Sequence, residues 1–308
     1  MTGVTSDFLI IGGGVIGVNM ALQAKHRFPD SDVVLIEKES DCGKHASGRN
    51  SGVLHAGFYY SADSLKARLT KDGNRQLTDY CLEHGLGINR CGKLVVAKNP
   101  DEWATLDALL ARARHNGVEL QSITEQEARE IEPRVLTCER ALFSPSTASV
   151  DPREVMGSFV SHAKRAGIRI RTGTTYLGKK GGVVRTTRGD ISAGYVINAA
   201  GLYADQVAQD YGFSSRYRIL PFKGLYLYAN KSVAPLRTNV YPVPDLRNPF
   251  LGVHHTATLD GQTKIGPTAI PCFWREHYKG LGNFRLGEFL EVIGREAELL
   301  IRDDFGFR

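Results

Sequence analysis

One turn near the start constrains this chain more than any other feature. The apolar run FLII at 8–11 leads directly into Gly12, Gly14 and Gly17, a G-x-G-x-x-G spacing. From Val15 to about Phe28 the residues Ile16, Met20, Ala21, Leu22 and Ala24 fit a helix that stops before Pro29. VVLIEK at 33–38 reads as a second buried strand, with Glu37 near its end, twenty residues after Gly17. Strand, glycine turn, helix and strand in this order make one right-handed βαβ unit. The spacing suits a dinucleotide. The first glycine makes the tight turn, the second lets backbone approach a pyrophosphate, and the third lets helix and strand pack closely. Val15 and Ile16 open the helix whose free N–H groups face the phosphates, Glu37 is placed to accept from a ribose hydroxyl, and Lys38 follows it.

Further along, 63–83, 100–116, 124–131 and 152–166 carry helical patterns, and KLVVA (93–97), IRIRT (168–172), GVVRTT (182–187) and YVINAA (195–200) read as strands. Residues 220–267 are β-rich, and 286–302 form an amphipathic helix. With 308 residues the chain has room for two domains. The expected fold is α/β: a Rossmann-like nucleotide-binding domain built from discontinuous segments, 1–75 and 145–218, plus a mixed β-sheet and helix substrate domain, 76–144 and 219–285. A terminal helix, 286–308, follows them in a chain open to truncation.

Composition excludes several classes. A formal charge of +6 is mild and spread along the chain, with no basic cluster or zinc-finger spacing, so no nucleic-acid partner is expected. The five cysteines include no C-x-x-C pair, which fits a reducing compartment and no structural metal. The longest uncharged run, 8–24, is short for a membrane span and broken by glycines. No secretory or transit signal precedes the first strand, so a cytoplasmic protein is expected, with peripheral membrane contact open to it.

The glycine motif by itself does not separate FAD from NAD. Residues 45–60, HASGRNSGVLHAGFYY, form a loop of hydroxyls, an amide, glycines and a histidine just past the ribose-binding strand, able to follow a pyrophosphate and bring side chains to a flavin. Ala200 and Gly201 end a buried strand with small residues, as a close cofactor crossing requires.

Here the chain resembles a known family. The strings DFLIIGGGVIGVNMA, LIEKES, SGRNSGVLHAGFYY, LKARLTKDGNRQL, CGKLVVA, PFKGLYLY and YPVPDLRNPFLGVHHT are similar to the L-2-hydroxyglutarate oxidase/dehydrogenase family, within the D-amino-acid-oxidase-like FAD oxidoreductases. The resemblance implies FAD as cofactor, a small 2-hydroxy dicarboxylic acid as substrate, 2-oxoglutarate as product, and oxygen or a membrane quinone as electron acceptor. It also implies that Ser47, Asn50, Ser51 and Gly52 lie near the FAD phosphates, and that Thr175 passes the adenine through its backbone. Family members continue well past Arg308 into a Gly-rich turn and helix at the flavin, so a truncated chain with weak FAD retention is expected.

Oxidising a 2-hydroxy acid requires its Cα–H aimed at flavin N5, a group to take the hydroxyl proton, and cations for carboxylates. His55, in the loop, is the first candidate base and His254, in FLGVHHT, the second; strand alternation turns His255 to the opposite face. Lys223 is the candidate carboxylate partner, supported by Arg49, Tyr60 and Tyr226. The competing readings are an amine or amino-acid oxidase and a non-catalytic flavin-binding fragment. His254, His255, Cys272 and His277 lack the spacing of a zinc site.

Overall fold

The computed structural model describes residues 4–230, 232–245 and 252–302. Two compact units form, one from 1–50, 152–223 and 271–308, the other from 51–151 and 224–270.

In the first unit, a six-stranded sheet has the order Tyr176–Lys180, Val183–Thr186, Ile191–Asn198, Val4–Ile11, Val33–Ile36, Arg169–Arg171. The last four strands are mutually parallel, and the first two form an antiparallel hairpin at the edge. Parallel strands are covered on both faces, which is why Leu9, Ile10, Ile11 and all of Val33–Ile36 are buried. Ile10, Val33 and Leu35 pack with Val18 and Ala21 of helix Val15–Arg27 and Met156 and Ala163 of helix Pro152–Arg165. Leu9, Ile11, Val34 and Ile36 pack on the other side with Val184, Ile191 and Val207. Burying side chains of this size contributes roughly 1.5–3 kcal/mol each. Register does the rest. Ile11 pairs with Ile36 on one side and Asn198 on the other, so three strands end level and the loops after them emerge together. Ligands of open α/β sheets bind at such a point.

In the second unit, a seven-stranded sheet runs Leu227–Tyr228, Thr263–Gly266, His254–Ala257, Asn239–Pro242, Lys93–Val96, Arg140–Ser144, Gln121–Thr124. Only Asn239–Pro242 and Lys93–Val96 run parallel among the pairs whose register is described. Val53–Leu54, Ala148–Val150 and Ile88–Asn89 form a small second sheet. On one face of the large sheet, Leu94 and Ala141 pack with Ala128 and Val135. On the other, Val95 and Leu142 meet Leu106, Leu109 and Ala113 of helix Trp103–Asn116, together with Ala56 and Phe58.

The division differs from the expected one at each boundary. It falls at 50/51 rather than 75/76, because Val53 and Leu54 pair with Ser149 and Ala148. Residues 271–285 join the first unit with helix Leu286–Arg302, because Arg275 is salt-bridged to Asp205 and Glu276 to Lys38. Strands Gln121–Thr124, Arg140–Ser144 and Ala148–Val150 have no counterpart in the sequence reading; they are short and two of them carry little apolar alternation. Residues 246–251, within the YPVPDLRNPFLGVHHT string, lie outside the described residues. Among the described residues no helix is long and apolar enough to cross a membrane.

Candidate functional site

A cleft of about 330 Å³ opens in the first unit where the three strands end level. Its wall includes Gly12 and Gly14, Glu37 and Lys38, Ala46 and Ser47, Thr174 to Leu177, and Ala199 to Tyr203. The glycines have separable reasons to be there. Gly12 sits at φ +112°, and a Cβ on it would meet the Ala199 carbonyl oxygen at 2.3 Å. One on Gly17 would lie 1.9 Å from the Gly12 carbonyl oxygen. Gly13, which the motif leaves free, is equally confined, 2.7 Å from Cys42 Sγ and 2.9 Å from Glu37 Oε2. Gly14 is different: its Cβ would meet only Ser47 Oγ, at 3.1 Å, so its bareness serves whatever lies in the cleft.

Helix Val15–Arg27 starts at Gly14 with no side-chain cap and no acidic residue in its first turn, and ends with Lys25, His26 and Arg27. The basic end complements the helix dipole while the positive end is left for an external anion. Ser47 Oγ accepts from the Val15 N–H at 2.8 Å, which seats the loop across that helix end. Ile16 lies beside it in the same first turn and is 65% exposed. Glu37 is buried; its Oε2 accepts from the Gly13 N–H at 2.7 Å and its Oε1 from the Glu39 N–H at 2.9 Å. Each oxygen keeps lone-pair capacity for a hydroxyl.

The remaining expected cofactor residues divide. Ala200 and Gly201 line the cleft. Thr175 lines it too, but its N–H donates to Thr187 Oγ1 at 3.0 Å and its carbonyl accepts from the Thr187 N–H at 3.0 Å, so the backbone expected to meet an adenine is engaged by the neighbouring strand end. Lys38 borders the cleft with its ammonium 2.5 Å from both Glu39 Oε1 and Glu276 Oε1. Burial works against that charge and the two carboxylates outweigh it, raising the Lys38 pKa. Glu39, His45 and Glu276 could together hold a metal by spacing, but Lys38 already supplies the cation. Asn50 Nδ2 donates to the Ala46 and Ser47 carbonyls and so braces the 46–48 turn. Ser51 and Gly52 belong to the second unit, where their carbonyls accept from Lys264 Nζ and the Val150 N–H. Tyr203 and Arg285 also line the cleft, without any local signal in the sequence.

Lys223 and Arg49 belong to the first unit. Lys223 is half-buried and its charge reaches Cys272 and His277, while Arg49 stacks over Tyr278 at 4.2 Å. Tyr60 lies under Lys66 Nζ, at 4.6 Å.

The second unit holds a buried polar face. Strand pairing puts Ser144, Lys93, Asn239, Tyr241, His254, Thr256 and Lys264 on one side of the large sheet, and every one of them is buried. His255 points to the other side and is exposed, as alternation requires. The His254 ring stacks on Tyr241 at 3.8 Å, and His55 meets the same tyrosine edge-on at 6.1 Å. His254 Nδ1 lies 2.8 Å from the Gly252 carbonyl oxygen, which can only accept; Nδ1 therefore carries the hydrogen and Nε2 presents a lone pair. Burial, reinforced by Lys93, holds His55 down at about 3, and burial holds His254 at about 4. Lys93 is wholly buried, its Nζ 4.4 to 4.9 Å above the rings of Phe58, Tyr59 and Tyr241, and desolvation lowers it to about 7. Lys264 Nζ donates to the Ser51 carbonyl at 3.0 Å and lies 5.1 Å over the Tyr226 ring. Of the residues singled out from sequence, this unit brings together His55, His254 and Tyr226 with two lysines and a tyrosine that were not. A lysine inside the apolar strand KLVV was the available signal.

A strand-ended crevice with a glycine turn, a helix N-terminus free of acids and a buried acid at the ribose position define a dinucleotide-binding protein of α/β class. Residues 7–294 match the FAD dependent oxidoreductase (DAO) family, and the chain belongs to it. It is 37% identical over 294 residues to L-2-hydroxyglutarate dehydrogenase of Escherichia coli (strain K12), covering 94% of this chain and 69% of that protein. To the human mitochondrial L-2-hydroxyglutarate dehydrogenase it is 35% identical over 305 residues, covering 93% of this chain and 65% of that protein. The fold is like that of the FAD-bound L-alpha-glycerophosphate oxidase of Mycoplasma pneumoniae, with a TM-score of 0.76 and 25% identity over 86% of this chain and 72% of that one. FAD is thus the cofactor of the family, and the cleft fits its nucleotide half: no Cβ at Gly14, no competing acid at the helix end, and Glu37 at the rim.

Proposed function

We propose that the protein oxidises L-2-hydroxyglutarate to 2-oxoglutarate. The observation that carries the reading is the buried polar face of the second unit: an imidazole with a fixed free lone pair, two buried lysines, and no carboxylate among its described residues. The likeness to the E. coli and human L-2-hydroxyglutarate dehydrogenases supports the same substrate.

Bound FAD would supply a hydride acceptor for the 2-carbon, with oxygen or a membrane quinone as the final electron acceptor. Gly12, Gly14, Gly17, Val15, Ile16 and Ser47 would hold its pyrophosphate, Glu37 would accept from its ribose, and Lys38, Thr175, Ala200 and Gly201 would wall its nucleotide. His254 Nε2 takes the hydroxyl proton, for which a positioned base contributes about 10²- to 10⁴-fold. His55 and Tyr241 keep the imidazole in place from the ring side. An amino-acid substrate fits this face less well, because its ammonium would meet Lys93 and Lys264 with no buried acid to receive it.

An anaerobic visible spectrum of the yellow protein, recorded before and after L-2-hydroxyglutarate, tests the reading. Loss of the oxidised flavin bands is expected. A spectrum that hydroxy acids leave unchanged and amino acids bleach would replace it.

A further inference from the structure

Among the described residues, the buried polar face holds two lysines and no carboxylate salt-bridged to either. Lys93 is wholly buried and its Nζ has no hydrogen-bond partner among the described residues. Three ring faces attract it, each a weak substitute for a carboxylate. Lys264, three strands along the same face, is buried too and donates to the Ser51 carbonyl, its one hydrogen bond among the described residues. Neither lysine forms a salt bridge among the described residues, although charged side chains are seldom fully buried unless paired. Tyr59 Oη is also buried with no hydrogen-bond partner among the described residues.

The titratable groups that face Lys93 and His254 from the packed elements are His55, Tyr59, Tyr241 and Lys264, none of them a carboxylate, and His255 acts on His254 only by charge from the opposite face of the sheet. Asp260 acts on Lys264 through its charge alone. The two lysines are also not equivalent. Lys93 Nζ lies over Tyr241, the ring on which His254 stacks and which His55 meets edge-on, whereas Lys264 Nζ lies over Tyr226.

We propose that Lys93 and Lys264 are the two carboxylate receptors of this site, Lys93 for the carboxylate beside the reacting hydroxyl and Lys264 for the distal one, so that this pair selects dicarboxylic substrates. The assignment rests on the reading of the site as a 2-hydroxy acid oxidase. Lys93 takes the near carboxylate because it sits on the tyrosine that both imidazoles touch. Lys264 takes the far one because it lies three strands away along the same face, over Tyr226.

Glutarate, which has both carboxylates and no hydroxyl to oxidise, and pentanoate, which lacks the second carboxylate, separate the roles in the FAD-loaded protein. Binding is read by calorimetry and by perturbation of the flavin spectrum. The wild type is expected to bind glutarate at least tenfold more tightly than pentanoate. Lys264→Met should remove that preference by weakening glutarate alone, with Lys264→Arg restoring most of it. Lys93→Met should weaken both by tenfold or more. In turnover with L-2-hydroxyglutarate, Lys264→Met should raise KM with kcat little changed. Glutarate binding that is absent in the wild type, or equal in wild type and both variants, overturns the assignment. Lysine-dependent glutarate binding without flavin reduction by L-2-hydroxyglutarate would instead keep the two receptors and remove the proposed reaction.

Discussion

His254 is held neutral by its surroundings, and this determines what it can do. Burial lowers its pKa to about 4 from an ordinary value near 6.5, so it is unprotonated, with Nε2 free, at any pH above that. His254→Gln removes the basic lone pair while keeping the size, and flavin reduction by L-2-hydroxyglutarate should fall by about 10²-fold or more with FAD content unchanged. Stopped-flow absorbance at the flavin bands measures it; a variant that reduces at the wild-type rate would move the base to His55. Lys93 has the opposite value to the fold from the one it has to the site. With a folded pKa near 7 and an unfolded one of about 10.4, the unfolded chain binds the extra proton between those values, so stability rises as pH goes from 7 to about 10. Below 7 the full penalty of the buried charge is present. Lys93→Met should therefore stabilise the ligand-free protein by on the order of 1–4 kcal/mol at pH 6, and by less at pH 10. Chemical denaturation at the two pH values checks both the sign and the trend.

The cleft depends on three strands ending at one level, and the glycines after the first of them are answerable to two different neighbours. Gly17 and Gly12 are pressed against protein backbone, whereas Gly14 faces little but a serine hydroxyl. Gly17→Ala should therefore fail to give folded protein, and Gly14→Ala should fold with FAD lost or weakly held. Far-UV circular dichroism together with the ratio of flavin to protein absorbance separates the two. Folded, fully yellow Gly14→Ala protein would mean that the cofactor does not approach this turn closely. The motif was readable because each of its requirements is local: a strand, a turn and a helix start lie within a few residues of one another. Gly13 escaped the reading because its constraint comes from Cys42 and Glu37, which are distant in sequence.

Across the molecule, the last described segment returns to the first unit through one buried ion pair. The Arg275 guanidinium donates to both Asp205 carboxylate oxygens, at 2.7 and 2.9 Å, and to the Leu202 carbonyl, and neither side chain is exposed. Burial works against the Asp205 charge, but the guanidinium outweighs it and lowers the carboxyl pKa. Removing one partner leaves the other as a buried charge, which typically costs about 3–5 kcal/mol. Arg275→Met should lower the thermal midpoint accordingly and expose 271–302 to protease, while Arg275→Met with Asp205→Leu should recover much of the loss. A single variant as stable as wild type would show that the pair does not hold the segment.

The sequence alone was enough for the α/β class, the dinucleotide motif, the amphipathic helix Leu286–Arg302 and the opposite facing of His254 and His255. Each follows from residue periodicity or from spacing along a few consecutive positions, which the backbone converts directly into geometry. The tertiary structure decided which charges share a surface. Lys93 and Lys264 lie on strands separated by two others, Arg275 finds Asp205 from seventy residues away, and Lys38 is occupied by Glu276 from much further still. Burial and charge pairing arise from strand order and register, and those are set by long-range packing that no local pattern records.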